Sequence, residues 1–363
     1  VKRASEERSV PTSEEKVKAG MVEKAKCASL EKVKPTSAVI AVTYRCNSRC
    51  ETCDIWKKDC GPELRPEDFR RLPPGLRNIN VSGGEPFLRD DLVEVVAVLQ
   101  EKYPGASIVI STNGLIPARI EENVRRMGQV GVRVSIDAVD ALDDKIRGVK
   151  GAFALATETL DRLQALGVKD LGISATISLD TAGDLRKLKQ MADSRGIQLV
   201  TSLVHSSSTY FGEHGDKLPG KESAQCRLIQ TELAWLEEQE LSSRRPKDWF
   251  RAYLTSGIID QIQGKRRRIE CHACRYLFFM DPAGTIYPCN IWPESMGNIL
   301  RESYDEMVKR SGRILTEVEE CPFQCWMSCT VAPVMRRKPL GPAVWVARRK
   351  LGVARKHEDS SSK

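Results

Sequence analysis

Of the twelve cysteines in this 363-residue chain, nine fall into two groups whose spacing could hold metal. The first is Cys46-Asn-Ser-Arg-Cys50-Glu-Thr-Cys53, a C-x3-C-x2-C run. Three thiolates this close can each bind one iron of a cubane cluster and leave the fourth iron without a protein ligand. An open metal position lets a metal touch a small molecule, whereas a structural site closes it off. Structural zinc competes as a reading, but it wants four ligands, and the nearest candidate, Cys60, is seven residues on, just before Gly61-Pro62. The second group is Cys271, Cys274 and Cys289, then Cys321, Cys325 and Cys329. Asp281-Pro-Ala-Gly284 places Asp, Pro and Gly at favoured positions of a type I turn. Two strands joined by that turn fold Cys274 and Cys289 towards each other as a hairpin. A zinc ribbon is the competing reading there. Cys27, Cys60 and Cys226 stand alone and read as free thiols.

These residues need elements to hold them. Short apolar runs at 38–43, 78–82, 106–111, 131–136, 171–178 and 197–204 alternate with amphipathic stretches around 66–72, 90–103, 118–128, 151–166 and 182–195. Pro66 suits a helix start and Asp90 an N-cap. Six buried-type strands separated by helices read as βαβ units of an α/β fold, a partial (β/α)6 TIM-like barrel. An open doubly wound sheet is the alternative, and no G-x-G-x-x-G follows the first strand to favour it. Right-handed crossovers put every strand's C-terminal end on one rim. Along that rim lie the first cysteines, then Gly83, Gly84, Glu85 and Pro86, then Ser111 and Asn113, then Ser135 and Asp137. Paired glycines let a backbone approach a ligand, and the Glu85 carboxylate can accept hydrogen bonds from an ammonium group.

The cysteine triad after the first strand, followed by Gly83-Gly84-Glu85 after the second, resembles the radical S-adenosylmethionine (radical SAM) superfamily over residues 38–205. The resemblance implies a [4Fe–4S] cluster on Cys46, Cys50 and Cys53 whose unique iron chelates S-adenosylmethionine, with the segment from Gly83 to Pro86 at the methionyl amino group. It implies that Ser111, Asn113, Ser135 and Asp137 line the nucleoside or substrate pocket. Thr52 departs from the aromatic that many members carry before the last cysteine. The stretch from Asp140 to Gly151, with Arg147-Gly148 inside it, resembles one in the peptide-maturing and sulfatase-activating branches. The spacing from Cys274 through Gly284 to Cys289 resembles the opening of SPASM and twitch domains, which carry auxiliary iron–sulfur clusters. This implies one auxiliary cluster with ligands from among Cys271, Cys274, Cys289, Cys321, Cys325 and Cys329. A flavodoxin- or ferredoxin-type electron donor follows from the same resemblance.

The expected organisation is a polar extension over 1–37, the barrel over 38–205, a loop and helical connector over 206–270, an auxiliary domain over 271–330 and a basic tail over 331–363. Apolar residues make up 41% and charged residues 29%, a globular balance, and no apolar run reaches the roughly 20 residues of a membrane span. The first 30 residues are charged throughout and lack a signal-peptide core, which points to the cytoplasm. Residues 331–363 hold nine Lys/Arg against two Asp/Glu, +7 of the net +8, so the body is nearly neutral and no general nucleic-acid surface is expected. Within the tail, residues 343–356 place Val344, Val346, Ala347, Leu351, Val353 and Ala354 opposite Arg348, Arg349, Arg355 and Lys356. That pattern suits peripheral contact with an anionic inner membrane face, or a solvated helix packed on the protein. The expected activity is hydrogen abstraction from a C–H bond of a carbohydrate, lipid-linked or other envelope precursor. The alternatives are a peptide maturase, a molybdenum-cofactor-type cyclisation enzyme and a non-catalytic metal-binding interaction protein.

Overall fold

The structure, a computed structural model, describes residues 34–217 and 223–352. Six parallel strands form the first part of the sheet: β1 (Ser37–Ala41), β2 (Asn78–Ser82), β3 (Ser107–Thr112), β4 (Gly131–Ser135), β5 (Leu171–Ile177) and β6 (Gln198–Leu203). Each pairs with the next in sequence, in parallel register throughout. The crossovers are α1 (Leu92–Lys102), α2 (Pro117–Met127), α3 (Ala141–Arg147), α4 (Ala152–Ala165) and α5 (Leu185–Ser194). Ile79, Ile110, Val134 and Ile173 from successive strands are fully buried with Leu99, Ile120, Leu160 and Leu188 from the helices. This alternation of apolar strands and half-apolar helices is what made the barrel legible. The expected N-cap Asp90 is one residue early; Asp91 precedes α1, and Asp90 pairs with Arg119 at 2.7 Å. The stretch at 66–71 is a 3-10 helix, and the short α3 was not anticipated.

The auxiliary region does not fold apart from the barrel, as a separate domain over 271–330 would. Strand β7 (Leu277–Met280) pairs in parallel with β1, Ser37 opposite Leu277, and β8 (Thr285–Tyr287) and β9 (Gly297–Asn298) continue antiparallel. The result is one nine-stranded sheet in the order β6-β5-β4-β3-β2-β1-β7-β8-β9. The expected hairpin turn is present: Asp281 Oδ1 accepts from Ala283 N (3.0 Å) and Thr285 N (2.8 Å), and Gly284 N donates to Asp281 O (3.0 Å).

The helical connector is two helices, α6 (Ala224–Ser242) and α7 (Pro246–Ile262), with Pro246 opening the second. Beyond the hairpin come α8 (Tyr304–Arg310), α9 (Gly312–Glu319), α10 (Ser328–Arg337) and α11 (Leu340–Lys350). Helix α10 runs across the expected boundary at residue 330, with Thr330, Val331 and Val334 buried. The tail helix α11 rests on the protein: Val346 is buried, Trp345 meets Tyr253 of α7 edge-on at 5.3 Å, and Arg349 Nε donates to Glu237 of α6 at 2.9 Å. Leu340, Val344 and Leu351 remain exposed. Residues 1–33, with Cys27, and Val353 to Lys356 of the tail pattern lie outside the described residues.

Candidate active site

The cysteine loop leaves the C-terminal end of β1, and its path is set by backbone pairing on two sides. Gly84 N donates to Thr43 O and Glu85 N to Arg45 O, both at 2.8 Å, so the segment after β2 prolongs the ladder beside the strand that enters the loop. A Cβ on Gly83 would lie 2.3 Å from Thr43 O, and one on Gly84 would lie 2.2 Å from Arg45 O. The glycines are therefore required by this neighbouring backbone, as well as facing the cavity. On the other side Arg49 N donates to Arg147 O and Glu51 N to Ile146 O, each at 2.9 Å.

Glu85 corrects an expectation. It is fully buried and does not line the cavity, so it is not placed to meet an ammonium group; Pro86 is buried with it. Its Oε1 accepts from Phe87 N (3.1 Å) and Thr112 Oγ1 (2.9 Å), and its Oε2 from Asn113 N (2.7 Å), which ties the end of β2 to the end of β3. Burial pushes its pKa up to about 7 against these hydrogen bonds, which favour the carboxylate.

A cavity of about 270 Å³ opens at the rim. Cys46, Cys50, Cys53, Gly83, Gly84, Ser111, Asn113, Ser135 and Asp137 all line it, as the strand-end pattern predicts. Several are held by partners: Ser111 Oγ donates to Asn80 Oδ1 (3.0 Å), and Asn113 Nδ2 to Asn47 Oδ1 (2.7 Å). Asp137 accepts from Thr176 N at 2.7 Å and forms a buried ion pair with Arg147 at 2.8 Å. Arg147 also lies 3.9 Å from the Cys50 sulfur. Burial works against its charge, but Asp137, Cys50 and Asp143 outweigh it and hold the guanidinium firmly protonated. The other lining residues that sequence reasoning missed include Trp56, Asn80, Ser174, Thr176, Ser202, His205 and Asn290. Strand position could have found Asn80, Ser174, Thr176 and Ser202; the rest are brought in by loops that only the folded chain places.

The thiols fit an iron–sulfur cluster. Burial raises the Cys46 thiol to about 11 and the Cys53 thiol to about 12, so both are protonated until a metal displaces the proton. Among the described residues no three His, Cys, Asp or Glu side chains are close enough to hold a single ion. Cys46, Cys50 and Cys53 line one chamber together, as three thiolates that each meet a different iron of a cubane would. The second group gathers as expected. Cys271 is felt electrostatically by Cys274, Cys289, Cys321, Cys325 and Cys329 alike, and burial raises Cys325 to about 11 and Cys329 to about 12. Cys329, with Met327 and Ser328, also lines the rim cavity, so one chamber touches both cysteine groups.

Residues 40–192 match the radical SAM superfamily. The chain carries a radical SAM domain. It is 35% identical over 167 residues to the Fe-coproporphyrin III synthase of Methanosarcina barkeri, covering 44% of this chain and 41% of that one. It is 26% identical over 291 residues to the mycofactocin maturase MftC of Mycobacterium ulcerans, covering 77% and 75%. The fold is similar to that of SuiB of Streptococcus suis bound to its precursor peptide SuiA, with a TM-score of 0.57 at 15% identity, covering 89% and 74%. The radical SAM domain uses a [4Fe–4S] cluster and S-adenosylmethionine, and the second cysteine group is consistent with an auxiliary iron–sulfur centre.

Proposed function

We propose that this radical SAM enzyme abstracts a hydrogen atom from a C–H bond of a small, uncharged, hydroxyl- or amide-bearing substrate group. The observation that carries the reading is a pair of unpartnered acceptors among the residues that line the chamber. His205 and Asn290 both line the cavity, and His205 Nε2 and Asn290 Oδ1 are buried without a hydrogen-bond partner. The His205 ring bonds to the Leu203 backbone, and burial pushes its pKa down to about 4, so the imidazole is neutral and Nε2 is left as an acceptor. Ser207 Oγ donates to Asn290 O at 2.6 Å and fixes the two residues at one seam between barrel and auxiliary region. Two acceptors call for a substrate that presents O–H or N–H groups.

The residues divide the work by position. Cys46, Cys50 and Cys53 hold the cluster, which with S-adenosylmethionine supplies the 5′-deoxyadenosyl radical. Gly83, Gly84, Ser111, Asn113, Ser135 and Asp137 shape the S-adenosylmethionine side of the chamber, and His205 and Asn290 orient the substrate. The auxiliary cysteines hold a second iron–sulfur centre that assists oxidation or substrate binding, and a flavodoxin- or ferredoxin-type protein supplies the electron. A carbohydrate group suits the acceptor pair. The lipid-linked reading loses part of its support, because Trp345 and Val346 of the tail face the protein.

A peptide substrate is the second reading. A larger cavity of about 730 Å³, lined by Phe323, Lys265 and Arg266, shares Leu203 with the chamber and could take a longer chain. The likeness to a mycofactocin maturase favours it too. Anaerobically reconstituted enzyme should be given size-fractionated extract of the source cells, and 5′-deoxyadenosine quantified by mass spectrometry. Stimulation by the small-molecule fraction supports the first reading. Stimulation by the peptide fraction alone overturns it in favour of the second.

A further inference from the structure

Unmet hydrogen-bonding capacity is concentrated at one place in this molecule. Nine buried side-chain atoms among the described residues lack a partner, and four of them belong to residues lining the rim chamber: Trp56, Arg147, His205 and Asn290. A buried polar atom without a partner costs about 1–3 kcal/mol, so a cluster of them marks where a ligand completes the structure. Two are acceptors, at the seam. The other two are donors on the side of the first cysteines. The Arg147 Nε at least faces Asp143 Oδ1 at 3.8 Å; the Trp56 indole N–H faces no acceptor.

Trp56 is also held unusually firmly for a loop residue. It sits in the 3-10 turn Ile55–Lys57, immediately after Cys53 and Asp54. Asp54 N donates to Phe211 O at 2.7 Å, Lys58 Nζ donates to Thr209 O at 2.6 Å, and Ile55 is buried between them against Tyr210 and Phe279. The Arg49 guanidinium and the Lys57 ammonium each lie 5.1 Å from the ring centroid. With cations on the ring, its free recognition element is the N–H edge.

We propose that Trp56 is a positioning residue for S-adenosylmethionine, its indole N–H donating to an acceptor of that cofactor. The inference rests on the radical SAM assignment and adds a contact that neither the cysteine triad nor the glycine pair supplies. S-adenosylmethionine offers acceptors throughout, in the adenine ring, the ribose and the carboxylate, and a pre-set donor beside the cysteines fixes one of them without ordering cost.

The test is equilibrium binding, independent of turnover. S-adenosylhomocysteine, which is not cleaved, is titrated calorimetrically into anaerobically reconstituted wild type and Trp56→Phe, with 5′-methylthioadenosine and methionine as partial ligands. Loss of one hydrogen bond is expected to weaken S-adenosylhomocysteine by about 3- to 10-fold in Trp56→Phe. The same loss should appear with whichever partial ligand carries the acceptor. If Trp56→Phe fails to fold or to load iron, Trp56→Leu, which also lacks a donor, is used in the same titration. Binding unchanged within about twofold in the folded variant overturns the inference. Absence of binding by wild type overturns the cofactor assignment itself and this contact with it, a result distinct from binding indifferent to position 56.

Discussion

Cys46, Cys50 and Cys53 gain their function from a loop whose backbone is clamped on both flanks, while the barrel core beneath is closed without them. Changing any one to Ala should therefore leave the circular dichroism intact and abolish 5′-deoxyadenosine formation, because each removes one thiolate of the cubane. Full cleavage activity in any of the three would overturn the ligand assignment. Glu85 acts differently, as a buried tie between strand ends. Glu85→Gln sets an amide N–H₂ against donors such as Asn113 N, and should cost about 1–3 kcal/mol of stability in chemical denaturation. Because burial raises the carboxyl to about 7 from 4.5, its contribution to wild-type stability is fully present below the unfolded value and is lost as pH rises through about 7. The gap between wild type and Glu85→Gln should thus be wider at pH 5 than at pH 8. An equal gap at both would mean that Glu85 does not titrate in that range.

At the scale of elements, the strands and crossover helices were readable because apolar alternation is a local property of the chain. The hairpin between β7 and β8 was readable from turn chemistry alone, Asp281 and Gly284 sitting where the turn needs them. What stayed hidden was contact between distant segments. Nothing local says that Gly83 and Gly84 meet the backbone of Thr43 and Arg45, that Arg147 reaches Asp137 and Cys50, or that His205 and Asn290 share a seam. Gly257 is a further case. A Cβ there would sit 1.9 Å from the Trp326 ring, so α7 lacks a side chain at the point where the segment between Cys325 and Cys329 docks. Trp326 Nε1 also donates to Leu254 O at 2.8 Å. Gly257→Ala should cost about 1–3 kcal/mol through overpacking and lower the iron content of the auxiliary region. Unchanged melting and iron per chain would show that the helix shifts freely to admit a methyl group.

For the whole molecule, the two cysteine groups should be separable by spectroscopy though they share a chamber. Replacing Cys274 and Cys289 together should reduce iron per chain and leave the spectrum of the barrel cluster in place, while conversion of the true substrate fails. Unchanged iron would return the hairpin to the zinc or metal-free readings. The tail prediction changes with its packing. A chain cut near residue 330 would lose Val331 and Val334 from the core, so the informative cut follows Pro339. With Trp345 and Val346 turned inward, attraction to anionic vesicles should be that of surface charge, about 1 kcal/mol per basic residue, and should vanish at high salt. Salt-resistant sedimentation of the full chain, lost on truncation after Pro339, would show instead that α11 leaves its seat and inserts.

The pairing of β1 with β7 also sets an order of assembly. Ser37 and Leu277 are neighbours in the sheet but emerge from the ribosome far apart in time. Until the later strand arrives, β1 offers one edge of unpaired backbone groups, which invites pairing with other chains. The strand that leads into the first cysteines is thus enclosed on both sides later than β2 to β5, while β6 stays at the sheet edge. Iron delivered before that moment would find Cys46, Cys50 and Cys53 on a half-built rim with no roof over them. Iron delivered afterwards must enter through the chamber that Asn290 and residues 327–329 help to wall.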